Sequence, residues 1–188
     1  MDYSTVVALT EAGAVPYWTK AQIADIVGLN DPEIAIKPPT VETLKALDPD
    51  MLFLHQGTSL NEDVLIADAA NGAPIQKITP ERVGRALRPS RRQIVERGPT
   101  NYAQIGLMNT QYAPSVMIKF LSESEAYDIF AVSTRGGYSY LYIFAFKKNW
   151  PLHDEAVETL YSSFVPENYH SYLALRRLER KHEHDSGR

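Results

Sequence analysis

Apolar residues along this chain come first as short β-branched runs interleaved with stretches of helical period. Ser4–Thr10, STVVALT, is a run of Val, Ala and Leu closed by Glu11-Ala12-Gly13, which predicts a buried strand. In YWTKAQIADIVG, Trp18, Ile23, Ile26 and Val27 recur at helical spacing and Gly28 is a natural C-terminal stop, so a helix is predicted. EIAIKPP reads as a second strand ended by Pro38 and Pro39. Thr40 can cap a helix over VETLKAL, because its hydroxyl can accept from amides two or three residues on. DMLFLHQG predicts a third strand, NEDVLIADAANG a helix stopped by Asn71-Gly72, and APIQKIT a fourth strand. Thr79-Pro80-Glu81 then opens a helix with a capping hydroxyl, proline in the first turn and an acid beside it. Strands and helices alternating in this way predict βαβ units on a parallel sheet.

The pattern changes after Gly98-Pro99. SVMIKFL, YDIFAVST and YSYLYIFAFKK follow as apolar runs, and Arg135-Gly136-Gly137 between the last two is a hairpin signal. In YSYLYIFAF, Tyr138, Tyr140, Tyr142, Phe144 and Phe146 alternate onto one face, and Leu141, Ile143 and Ala145 onto the other. The aliphatic face can cover an amphipathic helix over Asp154–Phe164, which gathers Ala156, Val157, Leu160, Tyr161 and Phe164 on one side. The aromatic face would then meet the N-terminal unit, a ligand or another chain. NYHSYLALRRLERKHEHD reads as a last helix fraying into a charged tail. The fold class is therefore α+β or α/β. A βαβ-rich unit over residues 1–98 is followed by an antiparallel hairpin or sheet unit with C-terminal helices over 99–188, as two domains or one continuous domain.

One stretch of the chain also resembles a known family. VVAL (Val6–Leu9), IVG (Ile26–Gly28), the Pro39–Phe53 segment PTVETLKALDPDMLF and Gly72-Ala73-Pro74 follow in the order seen in the N-terminal lobe of metal-chelate (siderophore and cobalamin type) periplasmic binding proteins. The resemblance spans about residues 4–80 and implies a parallel βαβ arrangement there.

Composition narrows the function classes. With 188 residues, 44% hydrophobic and 22% charged, the chain is of ordinary globular make-up and long enough for one sizeable core. The absence of cysteine excludes a disulfide framework, a zinc-thiolate site and a cysteine nucleophile. The first residues, MDYSTVVALTEAGAVPYW, carry acids rather than a basic leader region, and no run reaches the roughly 18 apolar residues of a membrane span. A cytoplasmic address is the expectation. Charge is segregated: residues 1–70 hold 3 Lys+Arg against 11 Asp+Glu, and residues 71–120 hold 8 against 2.

Four candidate features follow. TKAQIADIVGLNDPEIAI has the spacing of a helix-turn-helix at Ala24, Gly28 and Ile34, yet Asp31 and Glu33 stand where phosphates would lie. It is read as a helix, a turn and a strand without DNA recognition. In parallel sheets ligands lie beyond the carboxyl ends of strands, which selects Thr10 and Glu11, and His55, Gln56, Thr58 and Ser59, for a small polar or anionic ligand. ERVGRALRPSRRQIVERG supplies Arg82, Arg85, Arg88, Arg91, Arg92 and Arg97, all arginine, a residue suited to bidentate contact with carboxylate or phosphate. The solvated alternative is that these arginines pair with the acidic first third. HEHD (His182–Asp185) is expected to be a charged tail, so neither a metal site nor a cofactor is expected.

The function expected is non-enzymatic binding or assembly, with the arginine segment and Tyr138, Tyr140 and Tyr142 as contact surfaces for a protein partner or for self-association. A nucleic-acid-associated regulator binding through the arginines is the alternative. A small hydrolase or transferase using His55–Ser59 is the third, with no catalytic residue fixed by the sequence.

Overall fold

The computed structural model describes residues 4–10, 20–27, 38–56, 60–65, 75–98, 102–134 and 140–163. Its strands are β1 (Val6–Leu9), β2 (Gln22–Asp25), β3 (Met51–Gln56), β4 (Ile75–Ile78), β5 (Tyr127–Thr134) and β6 (Tyr140–Lys147). The helices are α1 (Val41–Leu47), α2 (Glu62–Leu65), α3 (Pro80–Ala86), α4 (Pro89–Arg97), α5 (Tyr102–Ser122) and α6 (His153–Ser163).

Local chemistry sets several of these boundaries where the sequence predicts them. Thr40 accepts from the Thr43 amide while the Thr43 hydroxyl accepts from the Thr40 amide, a reciprocal cap that starts α1. The same helix ends at Asp48, whose φ of 47° lies in the left-handed region. Thr79 accepts from the Arg82 amide and Pro80 occupies the first turn of α3. Pro89 then starts α4 after a two-residue interruption at Leu87 and Arg88.

The strands form one mixed sheet in the order β2-β1-β3-β6-β5-β4. β1 pairs in parallel with β3, as βαβ grammar predicts, and also in parallel with β2, whose residues that reading placed in a helix. β6 pairs antiparallel with β3 on one side and with β5 on the other, and β4 is antiparallel to β5 at the far edge. The chain is α+β. The parallel arrangement does not extend to β4, which leaves the N-terminal strands and closes the antiparallel half.

Period-two burial splits the sheet into two faces. On one, Ala8, Leu52, Leu54, Ile143, Ala145, Ile129 and Ala131 join the main core. The helices α1, α3 and α4 lie against α5, which in turn packs against β3. On the other face, Phe130, Val132 and Phe146 pack with Trp150 and Leu160, and Val7 and Leu9 with Ile23 and Phe53.

Two expectations are corrected and one open reading is settled. Residues 22–25 are a strand, not part of a helix: Ile23 faces Val7 while Ala24 and Ile26 join the opposite core, and pairing with β1 satisfies the backbone. Buried Asp25 then accepts from the Val27 amide at 3.1 Å, so an Asx-type turn ends the strand. SVMIKFL, read from the sequence only as an apolar run, is helical and lies within α5; Ala113, Val116, Met117, Phe120 and Leu121 recur at 3.6-residue spacing and are all buried. The faces of β6 are also used the other way round. Its aliphatic side meets the N-terminal helices, and its aromatic side receives α6. The strand predicted before Pro38 and Pro39, the Arg135-Gly136-Gly137 turn and the final helix fall outside the described residues.

Candidate functional site

The parallel pair β1 and β3 brings two of the predicted ligand residues together. Thr10 is buried just past β1, and its hydroxyl accepts from the His55 amide at 3.3 Å; the Thr10 amide in turn donates to the carbonyl of Phe53. The half-buried imidazole of His55 packs against Tyr142 with ring centroids 5.1 Å apart. The backbone of Gln56 closes β3. Glu11, Thr58 and Ser59 lie outside the described residues, as does any pairing of Ser59 with His55.

The arginines, alike in sequence, differ in the fold. Arg82 donates from Nε to the carbonyl of Val64 at 2.8 Å, at the end of α2. Arg88 donates to the carbonyl of Leu60 at 3.1 Å, beside the bridge between Leu60 and Leu87. Arg92 reaches back from α4 to the carbonyl of Gly84 at 2.9 Å. Arg85 and Glu81 stand 3.8 Å apart on the exposed side of α3, a geometry that contributes little. The first turn of α4 contains no acid, and among the described residues no carboxylate pairs with Arg88, Arg91 or Arg92. The positive end of the α4 dipole adds to their charge. Two described acids of the first third have partners elsewhere: Asp48 pairs with Lys147, and Asp50 accepts from the Val6 amide. The side chain of Arg97 lies outside the described residues.

On the opposite face of the sheet the aromatic row of β6 is used within the chain. Tyr142 stacks on Phe53 at 5.9 Å, Phe53 meets Phe144 at 4.9 Å, and Phe146 stacks on Trp150 at 6.4 Å. Tyr138 and the side chain of Tyr140 lie outside the described residues.

A polar group that the sequence reading missed sits at the start of α6. Asp128 on β5 accepts from Lys77 on β4 at 2.7 Å and lies 3.3 Å from Nε2 of His153, whose Nδ1 is 2.8 Å from Asp154. Desolvation opposes ionisation of Asp128, but the hydrogen bond and charge of Lys77, with His153 and Lys148, outweigh it and hold the carboxyl below its usual range. These residues come from three elements at irregular spacing, so no sequence motif announces them. The group ties α6 to the sheet edge. Among the described residues no group of three or more His, Asp or Glu is placed to hold a metal ion, and no helix is long and apolar enough to cross a membrane.

No curated protein and no solved structure matches the chain. A family model described as a domain of unknown function, DUF8728, matches residues 1–172, and the chain belongs to that family.

Proposed function

We propose that this protein is a non-enzymatic binding component that docks an acidic protein partner on the arginine surface of α4. The observation that carries the reading is the state of Arg88, Arg91 and Arg92: three guanidinium groups around one helix N-terminus, with no carboxylate paired to them among the described residues. Arg88 and Arg92 are tethered by single bonds to backbone carbonyls. Each guanidinium has five N–H donors, so most remain for a partner. Tethering also lowers the entropy that an arginine loses on binding a carboxylate. Among the described acids of the first third, Asp48 pairs with Lys147 rather than with an arginine of this segment.

The test is a titration of a polyglutamate peptide and of a duplex oligonucleotide of matched charge at several salt concentrations. The peptide is expected to bind, and Arg91→Glu with Arg92→Glu to weaken it about tenfold or more while the melting temperature is kept. Binding of the duplex alone, with a steep salt dependence, would move the reading to a nucleic-acid-associated regulator. Binding of neither probe, or binding indifferent to the double reversal, would overturn it.

A further inference from the structure

The sheet face that carries α6 contains a cavity remote from the arginine surface. It holds about 300 Å³ of space between the helix and the aromatic strand pair, at the lower end of the roughly 300–1,000 Å³ usual for small-ligand sites. Its floor is Met51, Phe144 and Phe146, and Trp150 closes one end. From α6 the lining takes Glu155 and Leu160 together with three short residues, Ala156, Thr159 and Ser163, which leave room that longer side chains would fill.

The rings are arranged for a flat or cationic guest. Phe144 and Phe146 are stacked at 25°, and Phe146 and Trp150 at 18°; Phe146 and Trp150 are buried, and half-buried Phe144 is the most open ring of the three. Such faces attract cations, and indole does so most strongly. The charge on the facing helix has the matching sign. Glu155 lines the cavity; Asp154 and Glu158 lie on the same helix, and none of the residues from His153 to Ser163 is Lys or Arg. The two lysines at the end of β6 are turned to other partners, Lys147 to Asp48 and Lys148 to the carbonyl of Glu125.

We infer that this cavity is a binding site for a small amine whose apolar or aromatic body lies on Phe144, Phe146 and Trp150 while its ammonium group meets Glu155. The inference stands apart from the arginine reading, since the two surfaces lie on opposite faces of the sheet. Glu155 disfavours an anion in the cavity, and most of the remaining lining is apolar.

Two probes that share a phenylethyl body and carry opposite charge test it: 2-phenylethylammonium and 3-phenylpropanoate, followed by calorimetry and by the NMR shift of the Met51 methyl group. The ammonium is expected to bind about fivefold or more tightly than the carboxylate and to shift Met51. Glu155→Gln should bring the two probes to comparable affinity. Thr159→Phe, at an exposed position on the cavity wall, should abolish binding of both while the melting temperature is kept; Ala156→Phe is the second filling variant should the first not fold. An ammonium that shifts nothing, a carboxylate that binds equally well, or affinity unchanged in the filled variant would each overturn the site.

Discussion

Tyr127 donates a 2.7 Å hydrogen bond from its hydroxyl to the carbonyl oxygen of Pro49, 78 residues earlier in the chain. Both residues are buried, and the tyrosine ring also meets Phe120 edge-on at 5.6 Å. One side chain therefore joins the start of β5, the turn before β3 and the last turns of α5. Tyr127→Phe keeps the ring packing and leaves the Pro49 carbonyl without its donor. A loss of about 1–2 kcal/mol is expected, read as a lower urea midpoint at unchanged slope. A variant as stable as the parent would show that water takes over the carbonyl.

The same tyrosine makes stability depend on alkaline pH. Burial pushes the Tyr127 phenol far above its ordinary value, with further upward pushes from Asp48 and Asp50. Burial, then Glu42, also raises Tyr112. A group whose folded pKa is raised contributes stability that is complete below the unfolded value and lost as pH rises through the folded one. The melting temperature should therefore hold up to pH of about 10 and fall beyond it, less steeply in Tyr127→Phe. Phenolate absorbance checks this. Ionisation of every tyrosine near pH of about 10 with the fold retained would refute it.

Acid acts on a different pair. Asp128 titrates below its usual range because Lys77 and its neighbours outweigh its desolvation. Its contribution is present above the unfolded value of about 4 and is lost as pH falls through the folded one. The lysine is largely exposed, so Lys77→Met should cost at most about 1 kcal/mol at neutral pH. It should also raise the Asp128 pKa, followed by carboxyl NMR. An unmoved titration would assign the depression to His153 and Lys148 instead.

Gly84 marks a close approach of two helices. A β-carbon built there would come within 3.0 Å of the Ser122 side chain on α5. Alanine favours a helix by about 1 kcal/mol over glycine, so Gly84→Ala sets that gain against the clash. Gly84→Val, with β-branching added, should be destabilising by about 1–3 kcal/mol, measured by urea unfolding. Recovery in the double variant with Ser122→Gly would locate the cause at this contact, and an unaffected midpoint would refute it.

Much of this fold was legible where local chemistry decides the outcome. Thr40, Thr79 and Pro80 mark helix starts by the hydrogen bonds they can or cannot make, and alternation in β6 separates Phe144 and Phe146 from Ile143 and Ala145. Pairing partners were less visible. Ile23, Ile26 and Val27 suit a helix face as well as a two-sided strand, and only the neighbouring β1 settles the choice. α5 was missed because its apolar residues read as a continuous run, a pattern shared by buried strands and buried helices. Of the predicted ligand residues, Thr10 and His55 were found together because parallel strands align their carboxyl ends. The cavity under α6 had no signature, since its walls come from β3, β6, the turn at Trp150 and one helix.

The arginines of α3, α4 and the link between them are equivalent by composition and should not be equivalent by energy. Arg88 extends its Nε to the Leu60 carbonyl in a part-buried bond and holds the segment before α2 against the end of α3. Arg91 makes no such bond among the described residues. Arg88→Ala should therefore cost about 1–2 kcal/mol, since a backbone acceptor loses a charged donor. Arg91→Ala should stay within about 0.5 kcal/mol, as surface substitutions do. Urea unfolding of the two single variants decides the matter. If Arg91→Ala proves as costly as Arg88→Ala, its guanidinium is part of the fold rather than of a docking surface, and the proposed role of α4 loses its central residue.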